Sequence, residues 1–355
     1  MQDMNETISG DNSTASNDTE KQCHTWLADE LPSFSNVTLE DLNSQLVRRN
    51  IGGICLLSVF VVIGLIGNIH VLYIYLRQFR TSNYKVYVLY LAIMDVINCT
   101  VVAPLVITYL FFPMTYPSVV LCKAFRFCLY LFSIASTSSM VVIAIDRHRK
   151  ICSPLGPQFT IRKAKLLCVG SFVFSIILSW PATILYGLSS IETGIPGMQT
   201  GYRCYTHDDY KGSMYQVVFH LILTLYFIAV TTLLIIAYIK IGRHIHAHRK
   251  FQSSIRRMSA RSEQEIKMAT GNAARKTTWT LCAVTIVYIL CALPHHTLAL
   301  LIFINKNFDC ELSLLGSQIY YTFIWSYFAN SVVNPFIYGI RDRKFRFEFR
   351  NMYRR

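Results

Sequence analysis

The chain has 355 residues, of which 53% are hydrophobic and only 15% are charged, and its formal net charge is +14. A soluble domain of this size usually contains about a quarter charged residues, so the composition excludes an ordinary soluble protein and favours a membrane protein. The basic residues are not interleaved with aromatic residues as in an RNA- or DNA-binding protein, and we therefore expect no nucleic-acid partner.

Residues 1–49 are predicted to form a disordered, extracellular and glycosylated N-terminal segment. Residues 1–20 lack the apolar core of a signal peptide, so we expect the first apolar stretch to act as the insertion signal. Four N-glycosylation sequons begin at Asn5, Asn12, Asn17 and Asn36. Sequons have meaning only in a luminal or extracellular segment, although a tail rich in Asn, Ser and Thr also contains them by chance.

Seven apolar stretches follow. They are residues 50–76, 86–112, 119–145, 166–188, 213–239, 277–304 and 312–340. Each is long enough to cross a bilayer as a helix, and backbone groups in lipid must pair within the protein. The sequence therefore predicts an all-α membrane protein, with a seven-transmembrane helix bundle over residues 50–340.

The orientation of the bundle follows from its basic residues. With the N-terminus outside, the cytoplasmic segments hold 26 of the 34 Lys and Arg residues. This distribution obeys the positive-inside rule, and the basic inner loops then face anionic lipid. We therefore predict a multi-pass plasma-membrane protein with an extracellular N-terminus. Near the outer end of the third stretch, Lys123 and Arg126 are expected to extend toward the headgroups.

Several short motifs lie within or beside these stretches: Gly67-Asn68, Leu91-Ala92-Ile93-Met94-Asp95, Asp146-Arg147-His148, Ile151-Cys152-Ser153-Pro154-Leu155 and Asn334-Pro335-Phe336-Ile337-Tyr338. From Cys122 to Arg147, a helix rising about 1.5 Å per residue extends roughly 38 Å, which crosses a bilayer core of about 30 Å. Together these features resemble rhodopsin-like (class A) G-protein-coupled receptors, over residues 50–350. The resemblance implies a receptor that binds an extracellular ligand and activates heterotrimeric G-proteins.

The same resemblance assigns activation roles on the cytoplasmic side. The Asp146–Arg147 pair would hold the bundle closed until the sixth helix moves, although an ordinary interfacial ion pair is the alternative. Tyr338 would move toward Tyr238 and Arg147, unless the helix is merely bent. The residues given this switch role in the seventh helix are Asn334, Pro335 and Tyr338. Leu155 is expected to dock into the G-protein, or else to cover the inner face of the bundle.

Asp95 is an ionisable group in the middle of a span, where it is costly unless paired or solvated. The resemblance implies an allosteric sodium ion there, with a water-filled polar network as the alternative. The groups expected around it are Asn68, Ser136, Asn330, Ser331 and Asn334. We expect no other metal site and no further cofactor.

Four cysteines can face the oxidising side of the membrane. Cys122 and Cys204 resemble the disulfide that joins the third helix to the second outer loop in the family. Cys23 and Cys310 either form a second bond, between the N-terminus and the third outer loop, or remain free thiols.

Five positions depart from the family pattern. Phe172 replaces the usual Trp of the fourth helix, Val230 replaces a Pro of the fifth, and Ala292 replaces the aromatic toggle of the sixth. Tyr288 stands where a Phe is common, and His148 stands where the family motif has a Tyr. These departures affect the expected activation switch but not the expected fold.

The cytoplasmic end predicts two further features. Residues 341–355 are expected to form a short amphipathic helix on the inner leaflet, with Phe345 and Phe349 in the lipid. The third inner loop contains four serines among basic residues, which suit a receptor kinase and then arrestin, although a solvated charged loop is the alternative. These serines are Ser253, Ser254, Ser259 and Ser262.

The ligand is predicted to be a peptide. Leu129 stands where amine receptors of the family carry an Asp, and residues 312–340 contain no Lys for a retinal Schiff base. The long second outer loop, from about residue 189 to 212, resembles the hairpin lid of peptide receptors. The outer acids Asp208, Asp209, Asp309 and Glu311 either attract a basic or amidated peptide or only keep the surface soluble. The expected pocket residues are Tyr130, Ser133, His295, His296 and Tyr321, although a helix-packing role is equally open for the two histidines.

Other functional classes fit less well. A transporter needs charged residues or broken repeats along several spans, and a membrane enzyme needs a catalytic group set; the sequence has neither. A divergent chemosensory or non-signalling receptor of the same fold remains the alternative, because Ala292 removes the usual toggle.

Overall fold

The computed structural model describes residues 37–191, 199–255, 263–304 and 312–354, and they form a bundle of long helices. Within these residues, six helices are long and apolar enough to cross a membrane. Their bounds are Leu39–Gln78, Asn83–Phe111, Val119–Cys152, Ile161–Leu185, Met214–Ala247 and Thr277–Leu301. The seventh span consists of Leu314–Phe323 and Ala329–Arg341, joined by the 3-10 turn Ser326–Phe328. The predicted seven-span fold is confirmed.

Two of the spans are locally irregular. The second contains a π-helical segment, Asn98–Val102, between helices Asn83–Ile97 and Ala103–Phe111. The fourth ends its long helix at Ser179 and continues as the short helix Ala182–Leu185 after Pro181. Pro181 cannot donate a backbone hydrogen bond, which accounts for the break.

The distribution of side chains is that of a protein in lipid. Large apolar residues such as Val62, Leu166 and Leu225 lie on the outer surface of the bundle. Asn68, Arg147 and other polar residues are buried inside. Lipid tails solvate the apolar surface, while polar groups find partners only within the protein.

The first helix begins earlier than its apolar stretch. It starts at Leu39 and is capped by Thr38, which exchanges hydrogen bonds with Asp41. Arg49 donates to the Leu312 carbonyl (3.0 Å) and to Ser317 Oγ (2.9 Å). Residues 39–49 are therefore part of the folded bundle, whereas residues 1–36, with all four sequons and Cys23, lie outside the described residues.

The fifth and sixth helices also continue past their apolar stretches. The fifth runs Met214–Ile255 and the sixth Glu263–Ile304. The predicted third inner loop is therefore mostly helical: Ser253 and Ser254 belong to the fifth helix, while Ser259 and Ser262 lie outside the described residues. Apolar periodicity marks where a helix crosses the lipid, and it does not mark where the helix ends in water.

The C-terminal helix is Arg343–Met352, and the Asp342 side chain accepts from the Lys344 and Phe345 amides at its start. One detail of the sequence prediction is wrong: Phe345 does not enter the lipid. It is buried against Tyr75 of the first span, with ring centroids 6.0 Å apart. Phe347 and Phe349 are exposed on this helix, so the placement of Phe349 in the lipid stays a prediction.

The first and seventh spans approach closely at Gly53. A Cβ atom at this position would lie 2.6 Å from the Tyr321 carbonyl oxygen and 3.2 Å from Trp325. Because backbone cannot move aside as a flexible side chain can, any larger residue must separate the two helices.

We expect Gly53→Ala to lower the stability of the bundle by about 1–3 kcal/mol, the usual cost of overpacking. The measurement is the melting temperature of the detergent-purified protein. Gly170→Ala is the matched control, since a Cβ there meets nothing within 4 Å, and it should melt at least as high as the wild type. Equal melting temperatures for the two variants would refute the close approach.

Candidate functional site

At the C-terminal end of the third span, Arg147 is buried and forms an ion pair with Asp146. Its Nε donates to Asp146 Oδ2 at 3.0 Å, and Nη1 lies 3.5 Å from Thr277 Oγ1 of the sixth span. Asn83 of the second span donates to Asp146 Oδ1 at 3.0 Å. The pair thus connects three spans, and the sixth span contacts it through a hydroxyl.

Polar side chains surround Asp95 in the middle of the bundle. Asn334 Nδ2 donates to Asp95 Oδ2 at 2.8 Å, and Asn68 Nδ2 donates to the Ser331 carbonyl at 2.7 Å. Of the predicted set, Ser136 is buried on the third span, where its carbonyl accepts from Ser139.

Three amide oxygens of this network have no hydrogen-bond partner among the described residues. They belong to Asn68, Asn330 and Asn334. Buried carbonyl oxygens without donors are rare, and together with a carboxylate they are suitable ligands for a hard cation. The residues present therefore fit a sodium ion.

Near this network, the seventh span packs on the first through Pro335. A Cβ at Gly67 would lie 2.8 Å from Pro335 Cγ, which explains the glycine of the Gly67-Asn68 motif. Tyr338 is fully buried, its ring meets Tyr75 edge-on, and no described residue pairs with its hydroxyl. Tyr238 bonds instead to Thr285 Oγ1 at 2.9 Å. The two tyrosines predicted to meet on activation are thus separately placed here.

At the end of the bundle that bears Cys122, an antiparallel hairpin covers the helices. Its strands are β1, Tyr186–Ile191, and β2, Gly201–Thr206, so it starts slightly before the predicted loop. Cys204 of β2 is disulfide-bonded to Cys122 of the third span, with Cα atoms 5.3 Å apart, which confirms this prediction. Cys310 lies outside the described residues, so the second bond stays a prediction.

The model of the 7 transmembrane receptor (rhodopsin family) matches residues 67–338 of the chain. The chain belongs to this receptor family. The Homo sapiens substance-P receptor is 27% identical over 305 residues, which cover 84% of this chain and 69% of that receptor. The Cavia porcellus substance-P receptor gives the same values. Neuropeptide FF receptor 2 of Rattus norvegicus is 23% identical over 367 residues, with 99% and 82% coverage.

Family membership confirms a multi-pass membrane receptor and excludes the enzyme and transporter alternatives. At three of the positions that depart from the family pattern, Phe172 packs against Phe132, and Val230 and Ala292 are buried. One turn before Ala292, the Tyr288 hydroxyl bonds to Thr137 Oγ1 at 2.5 Å. A hydrogen bond therefore joins the third and sixth spans one turn before the position at which the receptor lacks the aromatic toggle.

The two predicted pocket histidines pack helices together. His295 Nδ1 donates to the Ile324 carbonyl of the seventh span at 2.6 Å. The His296 ring stacks on Phe227 of the fifth span, with centroids 3.4 Å apart. Tyr321, another predicted pocket residue, packs edge-on against Tyr320. Helix packing is thus the interpretation that the geometry favours for both histidines.

Tyr130 and Ser133 lie on the third span, and Tyr130 enters a hydrogen-bonded chain below the hairpin. Its hydroxyl shares a 2.7 Å bond with Tyr186, which is 3.2 Å from His220 Nε2 of the fifth span. His220 Nδ1 donates to the Gln216 carbonyl, so Nε2 accepts from Tyr186. Tyr186 and His220 were missed by sequence reasoning, because neither lies in a motif.

Arg126 is placed differently from the sequence prediction, which had it extending toward the headgroups. Nη2 donates to the Cys204 carbonyl at 2.7 Å, and the guanidinium lies over the rings of Phe125 and Tyr186, 5.0 and 4.8 Å from their centroids. The hairpin covers this end of the span and supplies those partners. The available sequence signal for this placement was the position of Arg126, one helical turn after Cys122.

The outer acids that the structure describes are engaged locally. Asp208 accepts from the amide and hydroxyl of Ser190 and pairs with Lys211 Nζ at 2.9 Å. Partial burial raises the pKa of Asp208, but these bonds outweigh it and lower the pKa to about 2. Asp209 lies 3.3 Å from His207 Nδ1. Asp309 and Glu311 lie outside the described residues.

Leu155 is fully exposed in the turn that follows the third span, and so it does not cover the inner face of the bundle. The predicted docking of Leu155 into a G-protein stays a prediction, and its exposure leaves the side chain free for such a contact. We expect Leu155→Asp to reduce G-protein coupling at least about tenfold, the loss expected when a buried apolar contact of about 1.5–3 kcal/mol is removed.

The measurement for Leu155→Asp is agonist-driven nucleotide exchange, with surface level and ligand binding determined in parallel. Thr160→Asp, at the end of the same loop, is the matched control and should keep coupling. It adds the same charge, and Asp can cap the following helix as Thr160 does. If Leu155→Asp loses surface expression and binding together, the side chain stabilises the fold and has no docking role.

Proposed function

We propose that the receptor is a cell-surface G-protein-coupled receptor that binds an extracellular neuropeptide and activates heterotrimeric G-proteins, with its N-terminus outside the cell. The observation that carries the proposal is similarity along almost the whole chain to receptors named for neuropeptides, substance P and neuropeptide FF. The disulfide-tethered hairpin supports it, because a strand pair over the bundle offers an extended peptide both backbone and side-chain contacts.

A neuropeptide library, applied to cells that express the full-length receptor, tests this function. Calcium and cyclic-AMP responses are recorded together, because the G-protein class is open. Active peptides should lose their effect in cells expressing Arg147→Ala at equal surface level. If no peptide acts on the wild type, or if responses persist in the variant, the proposed function is wrong.

An allosteric sodium ion belongs to the same proposal. The ligands would be the Asp95 carboxylate and the unpaired amide oxygens of Asn68, Asn330 and Asn334. When bound, sodium would supply positive charge that stabilises the inactive bundle, and the carboxylate would hold it between the second and seventh spans. The alternative remains a water network on the same groups.

Receptor kinase and arrestin are proposed to act on the end of the fifth helix and the segment after it. Residues 339–355 contain no Ser or Thr, whereas Ser253, Ser254, Ser259 and Ser262 lie among Arg256, Arg257 and Arg261. Each phosphate adds about −1.5 to −2 charges, which would make this basic segment acidic and suitable for arrestin.

We expect the four-serine-to-Ala variant to internalise several-fold more slowly after agonist than the wild type does. Surface-epitope loss over time is the measurement. Deletion of residues 351–355 serves as the control and should leave the rate unchanged. Internalisation of the four-Ala receptor at the wild-type rate would show that the segment is only a solvated connection.

The C-terminal helix is proposed to lie on the inner leaflet. Phe347 is exposed, and Arg343, Arg346 and Arg350 accompany it on a helix of ten residues. Basic side chains at the headgroups and an aromatic ring in the acyl boundary are the combination that binds anionic membranes.

A further inference from the structure

Arg126 is a cation enclosed by aromatic rings under the outer hairpin. It lies one helical turn inward from the disulfide-bonded Cys122, and its Nη2 donates to the Cys204 carbonyl at 2.7 Å. The guanidinium carbon is 4.8 Å from the ring centroid of Tyr186, 5.0 Å from that of Phe125 and 5.1 Å from that of Tyr109. These rings come from the second span, the third span and β1.

Most of the hydrogen-bonding capacity of this guanidinium is unused. An arginine has five N–H donors, and Arg126 makes one hydrogen bond among the described residues. Its Nε is buried without a partner, and no carboxylate of those residues forms an ion pair with it. Ring faces stabilise a cation from above its plane, but they leave the N–H groups in that plane without acceptors. Arg126 as a whole is half-buried, so its charge is only partly solvated and a further acceptor would stabilise it.

None of the outer acids that the structure describes reaches Arg126. Asp208 is bound to Ser190 and Lys211, and Asp209 lies beside His207. A ligand can therefore supply the missing acceptor. A carboxylate matches it, because two coplanar oxygens accept from the planar N–H fork of an arginine.

We propose that Arg126 anchors a carboxylate of the extracellular ligand, supplied by a peptide C-terminus or by an acidic side chain. Phe125 and Tyr186 are buried and hold the guanidinium in place, whereas the half-buried Tyr109 is left to contact the group next to that carboxylate. The inference rests on the proposed peptide function. It also differs from the sequence prediction: the outer acids suggested a basic or amidated ligand, whereas the group that Arg126 would recognise is anionic.

Three small probes test the inference without any signalling readout. N-acetyl-phenylalanine carries a C-terminal carboxylate, N-acetyl-phenylalaninamide carries none, and N-acetyl-glutamyl-phenylalaninamide carries only a side-chain carboxylate. Their binding to the full-length receptor in nanodiscs is measured by saturation-transfer NMR. At least one acidic probe should bind about tenfold or more tightly than the neutral amide, as one or two charge-assisted hydrogen bonds predict. The better acidic probe identifies the source of the carboxylate.

Substitutions assign that preference to Arg126. Arg126→Gln should abolish it, and Arg126→Lys should retain part of it, because the charge remains while the planar fork is lost. Lys123→Gln is the matched control: it removes a positive charge from the same end of the same span and should leave the preference unchanged. Melting temperatures show whether each variant is folded.

The inference is overturned if the wild type binds the acidic and neutral probes equally or binds none of them. It is also overturned if the preference survives in Arg126→Gln or disappears in Lys123→Gln. Should Arg126→Gln fail to fold because the Cys204 contact is lost, the wild-type comparison and Arg126→Lys still decide. The two proposals fail independently. A failed probe experiment does not argue against G-protein activation, and a failed peptide screen does not argue against probe binding.

Discussion

Replacing Cys122 with Ser is expected to remove most of the receptor from the cell surface. The Cys122–Cys204 disulfide closes a sequence separation of 82 residues, for which the chain-entropy relation gives about 4.5 kcal/mol of stabilisation. The free energy of unfolding of a typical protein is about 5–15 kcal/mol, so the disulfide would contribute a large part of it. The bond also fixes the hairpin against the third span, so residual surface receptor should have lost ligand binding.

The measurement is surface-epitope level together with the melting temperature of the purified receptor. Cys204→Ser should behave like Cys122→Ser, and the double variant should be no worse than either, because one bond is lost in all three. Cys55→Ser is the matched control, since Cys55 is a free, exposed cysteine of the first span. The disulfide predicts that the free-thiol count rises by one in Cys122→Ser, because Cys204 is released. Wild-type surface levels together with a count that falls by one would contradict the assignment.

Asp95→Asn is expected to abolish the response of the receptor to sodium. In the wild type, replacing choline with sodium should raise the melting temperature and lower agonist affinity, because the ion favours the inactive bundle. The substitution preserves size but removes the charge that would balance the ion, so neither effect should remain. Signalling should also weaken, since Asn334 would lose its carboxylate acceptor.

The control for this prediction is Asp41→Asn, which removes a carboxylate that caps the first helix outside the spans. Its melting temperature shifts for a local reason, but its sodium dependence should equal that of the wild type. A sodium effect of normal size in Asp95→Asn would assign the polar cluster to water and would remove the ion from the account.

The features that sequence predicted best are those governed by local rules. Apolar length placed the spans, and the spacing from Cys122 to Arg147 placed one residue at each face of the membrane. The hairpin and the C-terminal helix were also anticipated. In each case the signal lies within a few turns of one element, or in a pairing that the family resemblance implied.

The features that sequence missed depend on contacts between distant elements. From sequence alone, Arg126 was expected to extend toward the headgroups. In the structure the hairpin covers it with Tyr186 and the Cys204 carbonyl. Phe345 was expected to lie in the lipid, but in the structure it packs beside Tyr75 of the first span. His295 is satisfied by a carbonyl 29 residues away in the chain. The hydropathy pattern does not predict these contacts between residues that are distant in the sequence.

The central claim is that an extracellular peptide acting on this bundle activates a G-protein through the Arg147 end of the third span. Guanine-nucleotide exchange on purified heterotrimeric G-proteins, with the receptor in nanodiscs and an active peptide from the screen, tests it most directly. The account predicts that the peptide accelerates exchange on at least one G-protein class and that Leu155→Asp loses the acceleration while still binding the peptide. Peptide binding without exchange on any class would contradict it and would identify a non-signalling receptor of the same fold.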